Sequence, residues 1–268
     1  MSCISNKKLF LFDIDGTLAV GDELLDGSRE LLELIEKRGG KSFFITNNST
    51  KSAADYVVRF KEVFGLETQE WQFLTSGQLT LKHLQENYSD KKIYVQATKS
   101  YVNQLMENGL NITEKYEEDI ACILVAYDSE VTYEKLCETS LALQSTLEDR
   151  VPFLATNPDL RCPAPFGFIP DCGAICDMLT STTDRKPTYL GKPARRMVDE
   201  AVAFSGMQPE EVLVVGDRLY TDIACGIAAR VDTALVLTGE AKREDLKDTE
   251  YPPVFVYEDV RKLLEEYL

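Results

Sequence analysis

Residues 9–18 constrain the fold of this chain more than any other stretch. Leu9-Phe10-Leu11-Phe12 is continuously apolar, and the run stops abruptly at Asp13-Ile14-Asp15-Gly16. Being apolar on both faces, residues 7–12 read as an inner strand of a parallel sheet. Gly16 breaks the strand. Such a strand delivers its terminal acids to the carboxyl edge of the sheet, where open α/β folds hold their ligands. Two carboxylates there repel each other unless a cation or a shared proton offsets the charge. Taken alone, the same residues fit a solvated Asp-Gly turn equally well.

The pattern recurs along the chain. Residues 27–38 read as an amphipathic helix stopped by Gly39-Gly40. Residues 41–46 are a second buried strand, ending in Thr46-Asn47-Asn48-Ser49-Thr50. A right-handed βαβ unit puts both strand ends on one edge, so Asp13 and Thr46 are expected to be neighbours. Thr46-Asn47-Asn48 fits a capped turn before a helix at 52–64, and a helix N-terminus also offers amides to an anion. A short strand at 74–76 and a helix at 77–86 follow. The alternation then restarts, with strands at 92–96, within 119–127 and at 151–156, and helices at 100–108 and 132–147. Residues 157–170 contain four prolines and read as an irregular loop. Residues 171–182 look helical.

A short strand at 188–190 meets Gly191-Lys192-Pro193. Pro193 suits the first position of a helix that Gly206 ends, which places Lys192 just before a helix start. Val212-Leu213-Val214-Val215 is the cleanest buried strand, with Asp217 at its tip and Asp222 at the opening of the next helix. Strands at 234–237 and 254–256 and a helix at 259–268 complete the chain. The expected fold is α/β: a Rossmann-like, doubly wound parallel sheet core (residues 1–79 and 184–268) with a second α/β unit inserted at residues 80–183, where the resemblance given below implies a cap domain.

Composition narrows the function. A formal charge of −16 argues against sequence-independent nucleic-acid binding and against anionic membranes. No apolar run approaches the roughly 18 residues of a membrane span. The first eight residues do not resemble a signal peptide. A cytoplasmic protein is the resulting expectation. Seven cysteines, several in apolar runs, read as buried thiols. Cys162, Cys172 and Cys176 lack the partners that would complete a zinc site. The single histidine, His83, falls in a predicted helix, which disfavours Ser-His-Asp or Cys-His chemistry. Neither a G-x-G-x-x-G nor a G-x-x-x-x-G-K-[ST] pattern is present.

Asp13/Asp15, Thr46, Lys192 and Asp217/Asp222 thus stand, in order, at the ends of buried strands. This arrangement resembles the haloacid dehalogenase superfamily of phosphotransferases. Asp13-Ile14-Asp15-Gly16-Thr17 is similar to its D-x-D-G-T signature, and the other three positions to its second, third and fourth motifs. Thr46-Asn47-Asn48-Ser49, Gly191-Lys192-Pro193 and Gly216-Asp217…Asp222-Ile223 narrow the resemblance to the NagD-like, p-nitrophenylphosphatase branch. That branch carries a type C2 cap between its second and third motifs. Two departures, Asp26-Gly27 for a common Pro-Gly and Arg230 for a common Ala-Gly, touch turn geometry and not chemistry.

The resemblance implies a phosphatase acting on small phosphate monoesters, of the sugar phosphate or nucleoside monophosphate type. Asp13 would be the nucleophile and Asp15 the general acid/base. Mg²⁺ would bind Asp13, Asp15 through its backbone carbonyl, and Asp217. Thr46, Asn47, Asn48 and Lys192 would hold the phosphoryl group, and Asp222 would orient Lys192 or metal-bound water. The implied partner is a small phosphorylated metabolite, with neither nucleic acid nor membrane, and a homo-oligomer is compatible with this reading. Three alternatives stay open: a non-catalytic or regulatory module that binds or accepts phosphate without turnover, a haloacid dehalogenase, for which the acid at Asp15 would be superfluous, and a phosphomutase, which would need a bisphosphorylated cycle. Asn157, Asp159 and Arg161 fit either a leaving-group contact or a rigid inter-domain loop.

Overall fold

The computed structural model describes residues 3–146, 151–164 and 166–268. In chain order the elements are β1 (Leu9–Phe12), β2 (Ala19–Val20), β3 (Glu23–Leu24), α1 (Ser28–Lys37), β4 (Lys41–Thr46), α2 (Ala53–Glu62) and β5 (Phe73–Thr75). There follow α3 (Ser76–Tyr88), β6 (Lys92–Gln96), α4 (Lys99–Glu107), β7 (Asn111–Thr113), β8 (Ile120–Val125), α5 (Tyr133–Ser145), β9 (Phe153–Ala155), β10 (Arg161–Ala164), β11 (Gly167–Pro170), α6 (Cys172–Thr183) and β12 (Thr188–Tyr189). The chain closes with α7 (Arg196–Ser205), β13 (Val212–Gly216), α8 (Ala224–Ala229), β14 (Asp232–Val236), β15 (Phe255–Tyr257) and α9 (Val260–Tyr267).

Two compact units emerge. One comprises residues up to Thr46, Lys51–Thr75 and Lys192–Leu268; the other comprises Asn47–Thr50 and Ser76–Gly191. The first is built on a six-stranded sheet in the order β15-β14-β13-β1-β4-β5, with every pairing parallel. Strand order therefore runs outward in both directions from β1 and β13, the arrangement that opens a crevice at the carboxyl ends of those two strands. All four residues of β1 are buried, as its two-sided apolar character demands. Phe10 and Phe12 share a cluster with Leu31 and Ile35 of α1, Tyr56 and Phe60 of α2, and Leu263 and Tyr267 of α9. Contacts of α7 with β1 and β4, and of α8 with β13 and β14, cover the opposite face. Helix α2 starts on a reciprocal capping box between Ser52 and Asp55, worth about 1 kcal/mol.

The second unit has its own parallel sheet, β12-β9-β8-β6-β7. Leu84 of α3 and Val102 and Leu105 of α4 pack on one face, and Ala142 and Leu143 of α5 with Ile175 and Leu179 of α6 on the other. Cys172 and Cys176 are buried in that second cluster, whereas Cys3 and Cys137 are exposed.

Two expectations need correction. Residues 157–170 are not irregular throughout: β10 and β11 form an antiparallel hairpin, with Arg161 opposite Pro170 and Cys162 opposite Ile169. A two-stranded ribbon gives each strand an outer edge, where a residue without an N–H is tolerated. Helix α7 begins at Arg196 and not at Pro193, so Lys192 is not at a helix N-terminus. Asp222 lies at a helix opening, as expected: the wide turn Leu219–Ile223 runs directly into α8. The β2–β3 hairpin was not anticipated, its strands being too short for periodicity to show. Leu147, expected to end a helix, and Pro165, expected in the loop, lie outside the described residues. Arg230 ends α8 with φ +61°, the left-handed conformation that favours glycine.

Candidate active site

Asp13 continues the ladder one residue past β1, donating its backbone N–H to the Val215 carbonyl at 2.9 Å. This fixes its side chain at the point where strand order reverses. Around it the sheet edge assembles groups far apart in sequence. Lys192 Nζ donates to Asp13 Oδ1 and to Asp222 Oδ1, each at 2.6 Å, and to the Ile45 carbonyl at 3.1 Å. The lysine side chain is only 2 % exposed, yet all three ammonium protons have acceptors. Burial by itself would depress its pKa, but the two carboxylates outweigh burial and hold it above the usual lysine value.

Asp222 is fully buried, and its second oxygen accepts the Arg218 N–H at 3.1 Å. Gly216 makes room for it: a Cβ there would stand 2.2 Å from Asp222 Cβ. Burial also raises the Asp13 carboxyl well above its ordinary range; Lys192 opposes the shift, and Asp222 and Asp217 add to it.

Asp217 follows β13 directly and is 2 % exposed. Its Oδ2 accepts the Glu240 N–H at 2.7 Å, and its backbone carbonyl accepts the Ala241 N–H. Gly239 is packed so tightly on it that a Cβ would lie 2.0 Å from Oδ2. Thr238 Oγ1 donates to the Gly16 carbonyl at 2.6 Å, tying this loop to the turn after Asp15. Burial pushes the Asp217 carboxyl up to about 6, with Asp222 reinforcing the shift. Its Oδ1 is buried without a hydrogen-bond partner among the described residues.

An orphaned buried carboxylate oxygen among other acids points to a cation. Carboxylate oxygens of Asp13, Asp217 and Asp222 lie within 4.8 Å of one another. The donor set is oxygen only, as hard divalent cations require. With both Asp222 oxygens committed to Lys192 and the Arg218 amide, Asp13 and Asp217 are the carboxylates left for a metal ion. The Asp15 carboxylate stands outside the group and pairs with Arg59 at 3.6 Å.

Thr46 ends β4 and is buried, as is Tyr56 of α2, whose phenol lies beside it. Asn47 and Asn48 fall in the second compact unit. The Asn47 carbonyl accepts Ser76 Oγ at 2.6 Å, and Asn48 Oδ1 accepts Thr50 N and Oγ1 at 2.8 and 2.7 Å. Asn157 is buried on Asp159 and Asp171, its Nδ2 donating to both at 3.2 Å, and Arg161 stacks on Phe168. Sequence reading missed Arg59, Arg218 and the loop 238–241. The last follows the carboxyl end of β14, so the strand-end rule had the means to find it.

Residues 10–111 match the haloacid dehalogenase-like hydrolases, and residues 189–263 match a second, HAD-hydrolase-like, family. An acid sugar phosphatase of Staphylococcus haemolyticus is 30% identical over 263 residues, covering 98% of this chain and 97% of the relative. The chain belongs to the haloacid dehalogenase-like hydrolases. The 4-nitrophenylphosphatase of Thermotoga maritima superposes on this hydrolase with a TM-score of 0.87, at 33% identity and 99% coverage of both chains. NagD of E. coli K-12 superposes with a TM-score of 0.82, at 28% identity and 98% coverage of both. This haloacid dehalogenase-like hydrolase is thus of the NagD-like branch and hydrolyses phosphate monoesters. The expectation drawn from the four strand-end motifs holds at that level.

Proposed function

We propose that the protein is a Mg²⁺-dependent phosphatase of small phosphate monoesters, of the sugar phosphate or nucleoside monophosphate type, working through an aspartyl phosphate on Asp13. The observation that carries this is the buried Lys192 bonded to both Asp13 and Asp222 beside the orphaned Asp217 oxygen. A carboxylate held at a strand tip against a fixed cation is oriented for attack. Asp13 Oδ would form a bond to phosphorus while the ester P–O bond breaks, with Asp15 giving its proton to the departing oxygen. Water, deprotonated by Asp15, would then attack phosphorus, releasing inorganic phosphate and restoring the Asp13 carboxylate. Lys192 and Thr46 would hold the phosphoryl oxygens. A divalent cation held by Asp13, Asp217 and the Asp15 carbonyl would neutralise charge as anionic nucleophile and anionic substrate approach. The acid sugar phosphatase relative favours sugar phosphates among the candidate substrates.

Phosphate release from p-nitrophenyl phosphate and from a hexose monophosphate, with Mg²⁺ and then with chelator, tests the reading. Release from both substrates that stops on chelation is expected. A stable phospho-protein without turnover would turn it into a phospho-accepting module instead.

Two further results are expected. Gly239→Ala forces Asp217 aside and should raise the Mg²⁺ concentration for half-maximal activity by about tenfold. An unchanged Mg²⁺ titration would remove Asp217 from the ligand set. The second concerns pH. The folded chain keeps the Asp217 proton up to about 6, against an ordinary value of 3.8. Folded protein then binds more protons than unfolded between those values, so metal-free stability falls as pH rises through that window. A cation that needs the ionised carboxylate stabilises more on the alkaline side. The Mg²⁺-induced rise in melting temperature should therefore be larger at about pH 7.5 than at about pH 5.

A further inference from the structure

Arg59 stands on α2, three residues after Tyr56, and its side chain is 15% exposed. Its guanidinium is fixed from several sides. Nη2 donates to the Gly21 carbonyl at 2.5 Å, and the group lies over the Phe64 ring, 5.2 Å from the centroid. It also faces two carboxylates, Asp15 Oδ1 at 3.6 Å and Asp22 Oδ1 at 3.9 Å. Gly21 and Asp22 form the tip of the β2–β3 hairpin, and Gly21 has φ +58° there. One cation thus holds both ends of the segment that leaves β1 at Asp15 and turns back at Asp22.

Asp15 itself is loosely seated. Its side chain is 42% exposed, and among the described residues Arg59 is the one cation paired with it. A pair this open contributes little to stability. Its consequence is directional, because a fixed guanidinium selects among the orientations the Asp15 carboxyl can adopt. Helix α2, with its capped start, supplies a rigid mount for that guanidinium.

We infer that Arg59 is a positioning residue for Asp15, holding its carboxyl toward the leaving-group oxygen. The inference rests on the reading of Asp15 as general acid/base. Proton donation works only within hydrogen-bond reach of the departing oxygen. Nitrophenolate, a weak base, leaves without much help, whereas an alkoxide needs the proton. Loss of aim therefore penalises alkyl phosphates selectively.

The test measures kcat/KM, which reports steps through leaving-group departure, for p-nitrophenyl phosphate and for glycerol phosphate. The proteins are wild type, Arg59→Met, Arg59→Lys and Asp15→Asn. Arg59→Met should lower kcat/KM on glycerol phosphate by about tenfold, a part of the roughly 10²–10⁴-fold that general acid catalysis contributes, and on p-nitrophenyl phosphate by no more than about twofold. Arg59→Lys should recover most of the glycerol phosphate rate, since it keeps the charge. The two-substrate ratio is read on one preparation, so a partly unfolded fraction cancels. Equal losses on both substrates, no loss on either, or a Lys variant no better than Met would each overturn the proposal, provided that Asp15→Asn still discriminates between the substrates. If Asp15→Asn fails to discriminate, the acid/base reading falls and this inference falls with it.

Discussion

Asp13→Asn should abolish turnover while leaving the fold intact. The amide is nearly isosteric but is no nucleophile toward phosphorus, so a loss on the order of 10⁴-fold or more is expected. Stability should not suffer. Asp13 is a buried acid facing two further acids, Asp217 and Asp222, and burial already works against its ionised form. Neutralising it leaves Lys192 paired with Asp222. Phosphate release, thermal melting and trapping of a phospho-protein on the same sample check this. Turnover above about a tenth of wild type would take the nucleophile role away from Asp13.

Lys192→Met should be the most destabilising change at the site. The ammonium is the shared partner of Asp13 and Asp222, and Asp222 is completely buried. Removing one member of a buried ion pair leaves charge without compensation, which costs about 3–5 kcal/mol. For a chain of this size, that lowers the melting temperature by on the order of 10 °C. The deficit should shrink as pH falls, because protonating the carboxylates removes the uncompensated charge. Activity should vanish as well, since the phosphoryl group loses its fixed cation. A variant that melts within a degree or so of wild type at every pH would show that the three groups do not share charge in solution.

How much of this was legible in the sequence follows the physics of each element. Buried parallel strands advertise themselves, since both faces are apolar; β1, β4, β8 and β13 were all placed from composition alone. Their ends were legible for the same reason, because a polar residue directly after such a run lies at the sheet edge. That rule found Asp13, Thr46 and Asp217. It could not find Arg59, a helical arginine whose partner lies 44 positions earlier in the chain. Nor could it foresee that Gly239 would press against Asp217, a contact made by a fold and not by a motif. The β10–β11 hairpin was hidden because prolines signal loops in most contexts and an isolated two-stranded ribbon is an exception. Lys192 was found by its place between Gly191 and Pro193, but for a helix start that the structure moves to Arg196.

The pairing of β1 has a consequence for synthesis on the ribosome. Leu9–Phe12 lies between Lys41–Phe44 on one side and Val212–Val215 on the other. The first neighbour emerges soon after β1, but the second comes about two hundred residues later. Until then a nascent chain carries a Phe-rich strand with one open edge, the kind of surface that recruits other strands. Ser76–Gly191 is contiguous and brings its own sheet and clusters, so it has what it needs to fold during that wait. Arrested chains released near residue 200 should therefore collect in aggregates, although the second unit has been fully translated by then. The chemistry waits as well: Asp13 is made about two hundred residues before Asp217 and Asp222, and it meets them only once β13 has emerged.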